Sequence, residues 1–334
     1  MADNREIELL IGTYEDYVLG YQLESIRPGS KKRKRHQNNS VEAESNQIDS
    51  VVSLEQSFAV RSHSGSVKCL CRSADGVLAF SAGQDEMTNL FNLQRRKLLQ
   101  TSESAINCAL FIGNNHLVAG SESGNVHVYE CKSSGYELAK TLHGHKESIV
   151  SMDAHPSGKI LLSLSKDRTM RTWNLIKGRC AYVTQIKGNA HIVKWSKVGD
   201  DFLLIANNEM VVYNIDGSLR HTIRTDRRIN SIEFLNDEIF VAATDSGQVY
   251  ILDLNKEEPV MKFQAHQTRV KSLSCFEGEN LDKSFMNLVT SSSDGAVKVW
   301  LIDVSFKSKP EEVASIDIGA RITCMVSCVR KLGD

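Results

Sequence analysis

Residues 144–173 read GHKESIVSMDAHPSGKILLSLSKDRTMRTW. Gly144-His145 opens the stretch, and Ile149 to Asp153 alternates apolar and polar residues as a strand does. His155-Pro156-Ser157-Gly158-Lys159 supplies the turn chemistry that ends it. A second strand follows over residues 160–165, then the tight polar turn Lys166-Asp167-Arg168, then a third strand closing on Trp173. The same strand, turn and strand recur and close on Phe91, Tyr129, Tyr213, Leu252 and Trp300, at intervals of 38, 44, 40, 39 and 48 residues along the series. A beat of about 40 residues made of short strands predicts a β-propeller.

Six such units leave both ends of the chain over. Strand-like runs at residues 313–318 and 322–329 stop half a unit short, and runs at 7–14 and 16–23 carry Tyr21 at the closing position. Joined, the ends predict a seventh blade shared by both termini, which removes the open sheet edges of an unclosed array. The expected architecture is therefore an all-β, seven-bladed propeller occupying residues 1–334 as one domain. With 41% hydrophobic and 24% charged residues, the chain has the composition of a globular protein with a large core. It contains no apolar run of about 18 residues and begins with charged residues, so neither secretion nor membrane insertion is expected.

The formal net charge of −1 offers no bulk attraction to nucleic acid or anionic membranes. It conceals one local asymmetry. Lys31, Lys32, Arg33, Lys34 and Arg35 are consecutive, and without them the remainder stands at −6. They sit in residues 24–50, a stretch rich in Ser, Asn, Gln and Glu that cannot bury enough apolar surface to fold and is expected to be a disordered loop leaving the ring. Three readings are open: a solvated charge cluster, a nuclear import signal, or a contact for RNA phosphates. Import is favoured, because a receptor needs an accessible, extended basic peptide. Contact with RNA is compatible with it.

Ser163, His145 and Asp167 are the residue types of a nucleophilic triad. The same set recurs in phase as Ser81, His63, Asp85 and as Thr290, His266, Asp294, each hydroxyl residue standing four before its aspartate. A catalytic site is assembled once, whereas a structural network is repeated in each blade. We therefore expect a buried chain in which the turn aspartate accepts from the imidazole, the imidazole bonds the hydroxyl, and the hydroxyl reaches Trp173 or Trp300. No enzymatic role is expected.

The eight cysteines are scattered mainly in strand-like runs. Cys69 and Cys71, or Cys324 and Cys328, have no second ligand pair of zinc-site spacing nearby, and neither do His143 and His145. Reduced, core-facing thiols are expected, with no metal and no cofactor. No GxxxxGK loop is present.

Gly144-His145 through Trp173-Asn174 is similar to the WD40 repeat, with asparagine in place of the final aspartate. Longer stretches resemble the PAK-interacting-protein family of WD40 proteins: ELLIGTYE (8–15), HPSGKILLSLSKDRTMRTWNLIKGR (155–179), QIKGNAHIVKWS (185–196), AHQTRV (265–270) and SSDGAVKVW (292–300). The resemblance implies a nucleolar assembly factor for the large (60S) ribosomal subunit and its pre-rRNA. In animals it also implies a negative regulator of p21-activated kinase signalling. The expected partners are proteins, pre-60S assembly factors and the kinase, and the expected location is the nucleus and nucleolus. A different class, a WD40 adaptor in a chromatin or ubiquitin-ligase complex, stays open on the repeat alone. The loops bearing the His and Asp positions are expected at one rim of the ring, which makes Lys146, Lys166, Arg168, Gln267 and Arg269 candidates for a partner face.

Overall fold

The computed structural model describes residues 5–26, 51–132, 134–277 and 285–331. The Lys31, Lys32, Arg33, Lys34, Arg35 run lies outside them, as do most of the 24–50 stretch and the longer inter-strand segment at 278–284. Among the described residues, twenty-eight strands form seven four-stranded antiparallel sheets. The first three strands are β1 (Arg5–Thr13), β2 (Tyr17–Ile26) and β3 (Val51–Arg61). Blade 1 follows as β4 (Val67–Arg72), β5 (Leu78–Gly83), β6 (Met87–Asn92) and β7 (Lys97–Glu103). Blade 2 is β8 (Ile106–Ile112), β9 (His116–Ser121), β10 (Val126–Lys132) and β11 (Gly135–Leu142). Blade 3 is β12 (Ile149–Ala154), β13 (Ile160–Ser165), β14 (Thr169–Asn174) and β15 (Arg179–Gln185). Blade 4 is β16 (Ile192–Trp195), β17 (Asp201–Ala206), β18 (Glu209–Asn214) and β19 (Leu219–Arg224). Blade 5 is β20 (Ile229–Phe234), β21 (Ile239–Thr244), β22 (Gln248–Asp253) and β23 (Met261–Gln264). Blade 6 is β24 (Val270–Glu277), β25 (Phe285–Ser292), β26 (Ala296–Asp303) and β27 (Glu311–Asp317). The last strand, β28 (Ile322–Lys331), pairs with β1 and completes blade 7 in the order β28-β1-β2-β3.

Both termini thus close the ring, but their shares differ from the two-and-two division expected. All but the last residue of the run at 313–318 lies in β27, which pairs with β26 as the outer strand of blade 6. The outer strand of blade 7 is β3 instead, paired with β2 from Tyr17↔Arg61 to Ile26↔Val51. The physical reason is regularity. Trp300 stands on a third strand, as Trp173 does, and each third strand is followed by an outer one before the next blade begins. β2 also runs through Ile26, into the start of the stretch expected to be loop.

The periodic aromatic has a second meaning in three dimensions. The pairing of third and outer strands slips by one residue immediately before Tyr21, Phe91, Tyr129, Trp173, Tyr213 and Trp300. A bulge bends the strand and re-aims the side chain beside it. Leu252, the one aliphatic closing residue, is followed by the short β23 and no slip.

The core is built at the seams. Seven clusters of buried apolar side chains each draw on two neighbouring blades, from Cys71, Phe80 and Leu117 between blades 1 and 2 to Ile11, Tyr21 and Val299 between blades 6 and 7. The seam between blades 7 and 1 is the leanest in apolar groups, with Leu10, Ala79, Phe91, Leu93 and Cys328. There Glu8, wholly buried, accepts from Arg330 Nη2 (2.8 Å), Arg96 Nη1 (2.5 Å) and Ser57 Oγ (2.5 Å). A buried carboxylate is tolerated when charge-assisted bonds surround it in this way. The inner strands are further tied by side-chain bonds across seams, Asn107 Nδ2 to Ile149 O (3.2 Å), Asn230 Nδ2 to Val270 O (3.0 Å) and Asp153 Oδ2 from Trp195 N (2.7 Å).

Candidate functional site

In blade 3 the turn between β13 and β14 holds Asp167 against the loop that enters the blade. Asp167 Oδ2 lies 3.0 Å from His145 Nδ1, and His145 Nε2 lies 2.7 Å from Ser163 Oγ. Trp173 Nε1 donates to the same Oγ at 2.8 Å. A carboxylate can only accept, so Nδ1 carries the proton, Nε2 accepts from the serine hydroxyl, and the serine oxygen accepts from the indole. The imidazole, the hydroxyl and the indole of this set are thereby all satisfied. Burial alone would raise the Asp167 pKa, but the Thr169 hydroxyl, the amides of Lys146 and Thr169, and His145 together hold it down at about 2.

Blade 1 repeats the arrangement without an indole. His63 Nδ1 is 3.1 Å from Asp85 Oδ1 and Nε2 is 2.7 Å from Ser81 Oγ. Phe91 has no donor to offer. Asn89 Nδ2, which donates to Ser62 O at 2.7 Å, sits 3.3 Å from His63 Nε2.

Blade 6 departs from the expected set. His266 Nε2 bonds Thr290 Oγ1 at 2.7 Å and Trp300 Nε1 donates to it at 3.0 Å, but no His266–Asp294 hydrogen bond forms among the described residues. Asp294 Oδ2 is taken by the Thr268 hydroxyl at 2.8 Å, and Oδ1 by the Ala296 amide at 3.1 Å. Thr268 thus does what the Lys146 and Ser64 amides do in the other two blades. A threonine in a loop gives no signal of this role in the sequence.

These geometries bear on chemistry. The side chains of His63 and His145 are wholly inaccessible, and Ser81, Ser163 and Thr290 are fully buried. A substrate carbonyl has no approach to any of the three hydroxyls, and the oxygens of Ser163 and Thr290 are engaged by an indole. The arrangement stiffens the rim; it does not present a nucleophile.

The rim is where the ring meets solvent. Lys146, Lys166, Arg168, Gln267 and Arg269 are all exposed there. They do not form one patch: the first three belong to blade 3 and the last two to the entry loop of blade 6, with blades 4 and 5 between. Each blade carries a left-handed residue in the turn between its second and third strands, Asp16, Glu86, Gly124, Arg168, Asn207, Gly247 and Gly295.

A model of the WD domain, G-beta repeat, matches residues 136–174 and 257–300, the two stretches that close on Trp173 and Trp300. A p21-activated protein kinase-interacting protein 1-like protein of Danio rerio is 31% identical, over 98% of this chain and 82% of its own length. The chain belongs to the p21-activated protein kinase-interacting protein family of WD40 proteins. Protein MAK11 of Saccharomyces cerevisiae is 25% identical over 98% of this chain and 84% of its own. The crystal structure of RRP9 WD40 repeats superposes with a TM-score of 0.69 at 17% identity, covering 82% of this chain and 91% of that one, a likeness of fold alone.

The polar sets of this family member tie its stability to pH. His266 is kept neutral by burial and by the nearby Lys298 charge, which lower its pKa from 6.5 to about 4 against the opposing pull of Asp294. The unfolded chain takes up that proton near pH 6.5 and the folded chain only near 4, so falling pH favours unfolding across this window. Thermal melts of the wild type and of His266→Gln from pH 7 to 4 are expected to show a smaller acid-induced drop in Tm for the variant. Equal drops would show that His266 does not titrate as described.

The cysteines are free. Burial pushes up the thiols of Cys69, Cys71, Cys108, Cys131, Cys275, Cys324 and Cys328, Cys108 to about 12 and Cys324 to about 11, so these are poor thiolates. Among the described residues no three His, Cys, Asp or Glu side chains converge as metal ligands.

Proposed function

We propose that this chain is a non-catalytic scaffold for maturation of the large (60S) ribosomal subunit and its pre-rRNA, acting in the nucleus and nucleolus, and that it also restrains p21-activated kinase signalling. The observation that carries the reading is similarity along nearly the whole ring, rather than over a repeat or two, to proteins named for kinase interaction and to Protein MAK11. A generic WD40 adaptor would share the blade signature alone. The physical form suits the role: a closed ring held by seven apolar seams is rigid, and its rim loops offer adjacent surfaces to several proteins at once. Lys146, Lys166, Arg168, Gln267 and Arg269 are the proposed partner contacts on that rim. The Lys31, Lys32, Arg33, Lys34, Arg35 run is the proposed import signal, with a secondary part in touching RNA.

Gradient fractionation of nuclear extract tests this. The tagged protein is expected to sediment with large-subunit precursors, and substitution of the five basic residues at 31–35 by glutamine is expected to leave it in the cytoplasm. Sedimentation as a free protein, with recovery of kinase from cytoplasm, supports the kinase role alone. Recovery with chromatin or ubiquitin-ligase subunits points to the adaptor class instead.

A further inference from the structure

Among the described residues the rim carries a cleft of about 780 Å³ where the turn of blade 3, the loop into blade 4 and the turn of blade 4 meet. Lys166 and Arg168 enter it from the first, Lys187 and His191 from the second, and Arg228 from the loop that leads on to blade 5. Its volume falls in the range of about 300–1,000 Å³ typical of ligand sites. Lys166, Arg168, Lys187 and Arg228 are exposed, and none has an ion-pair partner among the described residues. The one carboxylate in the lining, Glu209, is already bridged by Arg224 at 2.7 Å. His191 does not add to the positive charge. Burial lowers its pKa, and its Nε2 donates to the Ile229 carbonyl at 2.7 Å.

Elsewhere on the rim, in blades 7, 1 and 2, carboxylates are met. Asp16 is paired with Arg61 (3.1 Å), Glu122 with Lys68 (2.6 Å), and Glu15 accepts from the Arg321 amide (3.1 Å). In the cleft, by contrast, four cations without an ion-pair partner among the described residues line one concave space. Two guanidiniums and two ammoniums converge on a space a ligand can enter, which is how arginine clusters hold carboxylate and phosphate groups.

We propose that the cleft between blades 3 and 4 is a docking site for an anionic peptide segment bearing clustered carboxylates or phosphates. A peptide fits better than RNA because the lining adds small polar groups and the aliphatic Val150, Ile186, Ala190 and Ala206 to its cations, and lacks the Phe, Tyr or Trp platform on which single-stranded bases stack. The assignment stands on the cleft and does not depend on a ribosomal role. It draws in Lys187, His191 and Arg228, which lie in the degenerate fourth repeat and its flanks.

The test uses fluorescence anisotropy at low salt with the full chain and four labelled probes: hexaglutamate, a glycine-spaced diphosphoserine peptide, hexaglutamine and oligouridylate. Expected are binding of one or both anionic peptides, no binding of hexaglutamine, and a loss of about tenfold or more in the Arg168→Gln/Arg228→Gln double variant. The tighter anionic probe then identifies phosphate or carboxylate as the recognised group. Lys97→Gln/Lys140→Gln, on the outer strands of blades 1 and 2, removes the same net charge elsewhere and is expected to bind as the wild type does. Melting curves establish that both variants are folded. Failure of both anionic peptides, equal weakening in the two double variants, or tighter binding of oligouridylate that depends on Arg168 and Arg228 would each overturn the proposal.

Discussion

A chain lacking residues 1–23 is expected to melt about 10 °C or more below the full protein, with a broadened transition, because the deletion removes β1 and most of β2 and opens the ring at blade 7. Among the described residues β1 alone pairs with β28, from Arg5↔Lys331 to Thr13↔Ile322. It supplies Leu9 and Ile11 to the seam with blade 6 and Leu10 to the seam with blade 1, all fully buried. It also supplies Glu8, whose loss leaves Arg330, only 5% exposed, facing a seam with little apolar packing to compensate. The cost exceeds that of a clipped terminal strand, since both seams flanking blade 7 fail together. Removing residues 322–334 strips the other half of the same pairing and is expected to act alike. Differential scanning calorimetry decides, and an unchanged Tm in either truncation contradicts this view of closure.

The second large effect concerns a single methyl group. Gly247 occupies the left-handed turn position of blade 5 at φ 83°, and a Cβ built there falls on the carbonyl oxygen of His266 and within 2.7 Å of that of Thr268. Those carbonyls belong to the entry loop of blade 6, and the loop is already tied to Gly247 by the amides of Ala265 (3.0 Å) and His266 (3.1 Å). Backbone cannot swing aside as a flexible side chain can. Gly247→Ala is therefore expected to cost about 3 kcal/mol or more, combining left-handed strain with displacement of the loop that holds the His266 network. Gly217 shares the φ of 83° but has nothing within 4 Å of its built Cβ. Gly217→Ala isolates the strain and is expected to cost about 1 kcal/mol. Urea unfolding of the pair separates the terms; equal costs would mean the contact with blade 6 is unimportant.

Much of this architecture is legible in the chain because its signals are local and repeated. The 40-residue beat, the turn aspartates and the aromatic closing residues follow from strand alternation and turn chemistry within each blade, and the need to pair both termini follows from the leftover runs. What escaped reading lies on outer strands and in loops. The 313–318 run goes to blade 6 instead of blade 7, and β3 gives no signal at all, because an outer strand buries little: β7, reading KLLQTSE, and β15, reading RCAYVTQ, are largely exposed and show no clean apolar alternation. The bulges before the aromatics are a matter of register between strands and leave no mark on either strand alone. The His266–Asp294 link was expected from spacing, yet a threonine two residues past the histidine captured the carboxylate. The cleft was invisible for a related reason. Its cations come from segments far apart in sequence, and Lys187 and Arg228 fall in a repeat whose polar signature has decayed.

The central claim is that the repeated Ser, His and Asp residues hold the ring while the rim does the work of binding. The direct measurement pairs melting temperature with co-sedimentation on large-subunit precursors for two variants. His145→Ala is expected to lose about 1–3 kcal/mol of stability by unpairing Asp167 and Ser163, yet to co-sediment as the wild type does at temperatures where it is folded. Replacing Lys146, Lys166, Arg168, Gln267 and Arg269 together is expected to leave Tm unchanged and abolish co-sedimentation. A His145→Ala protein that melts normally but no longer associates would contradict the account, because the histidine would then be acting on a partner or substrate and not within the fold.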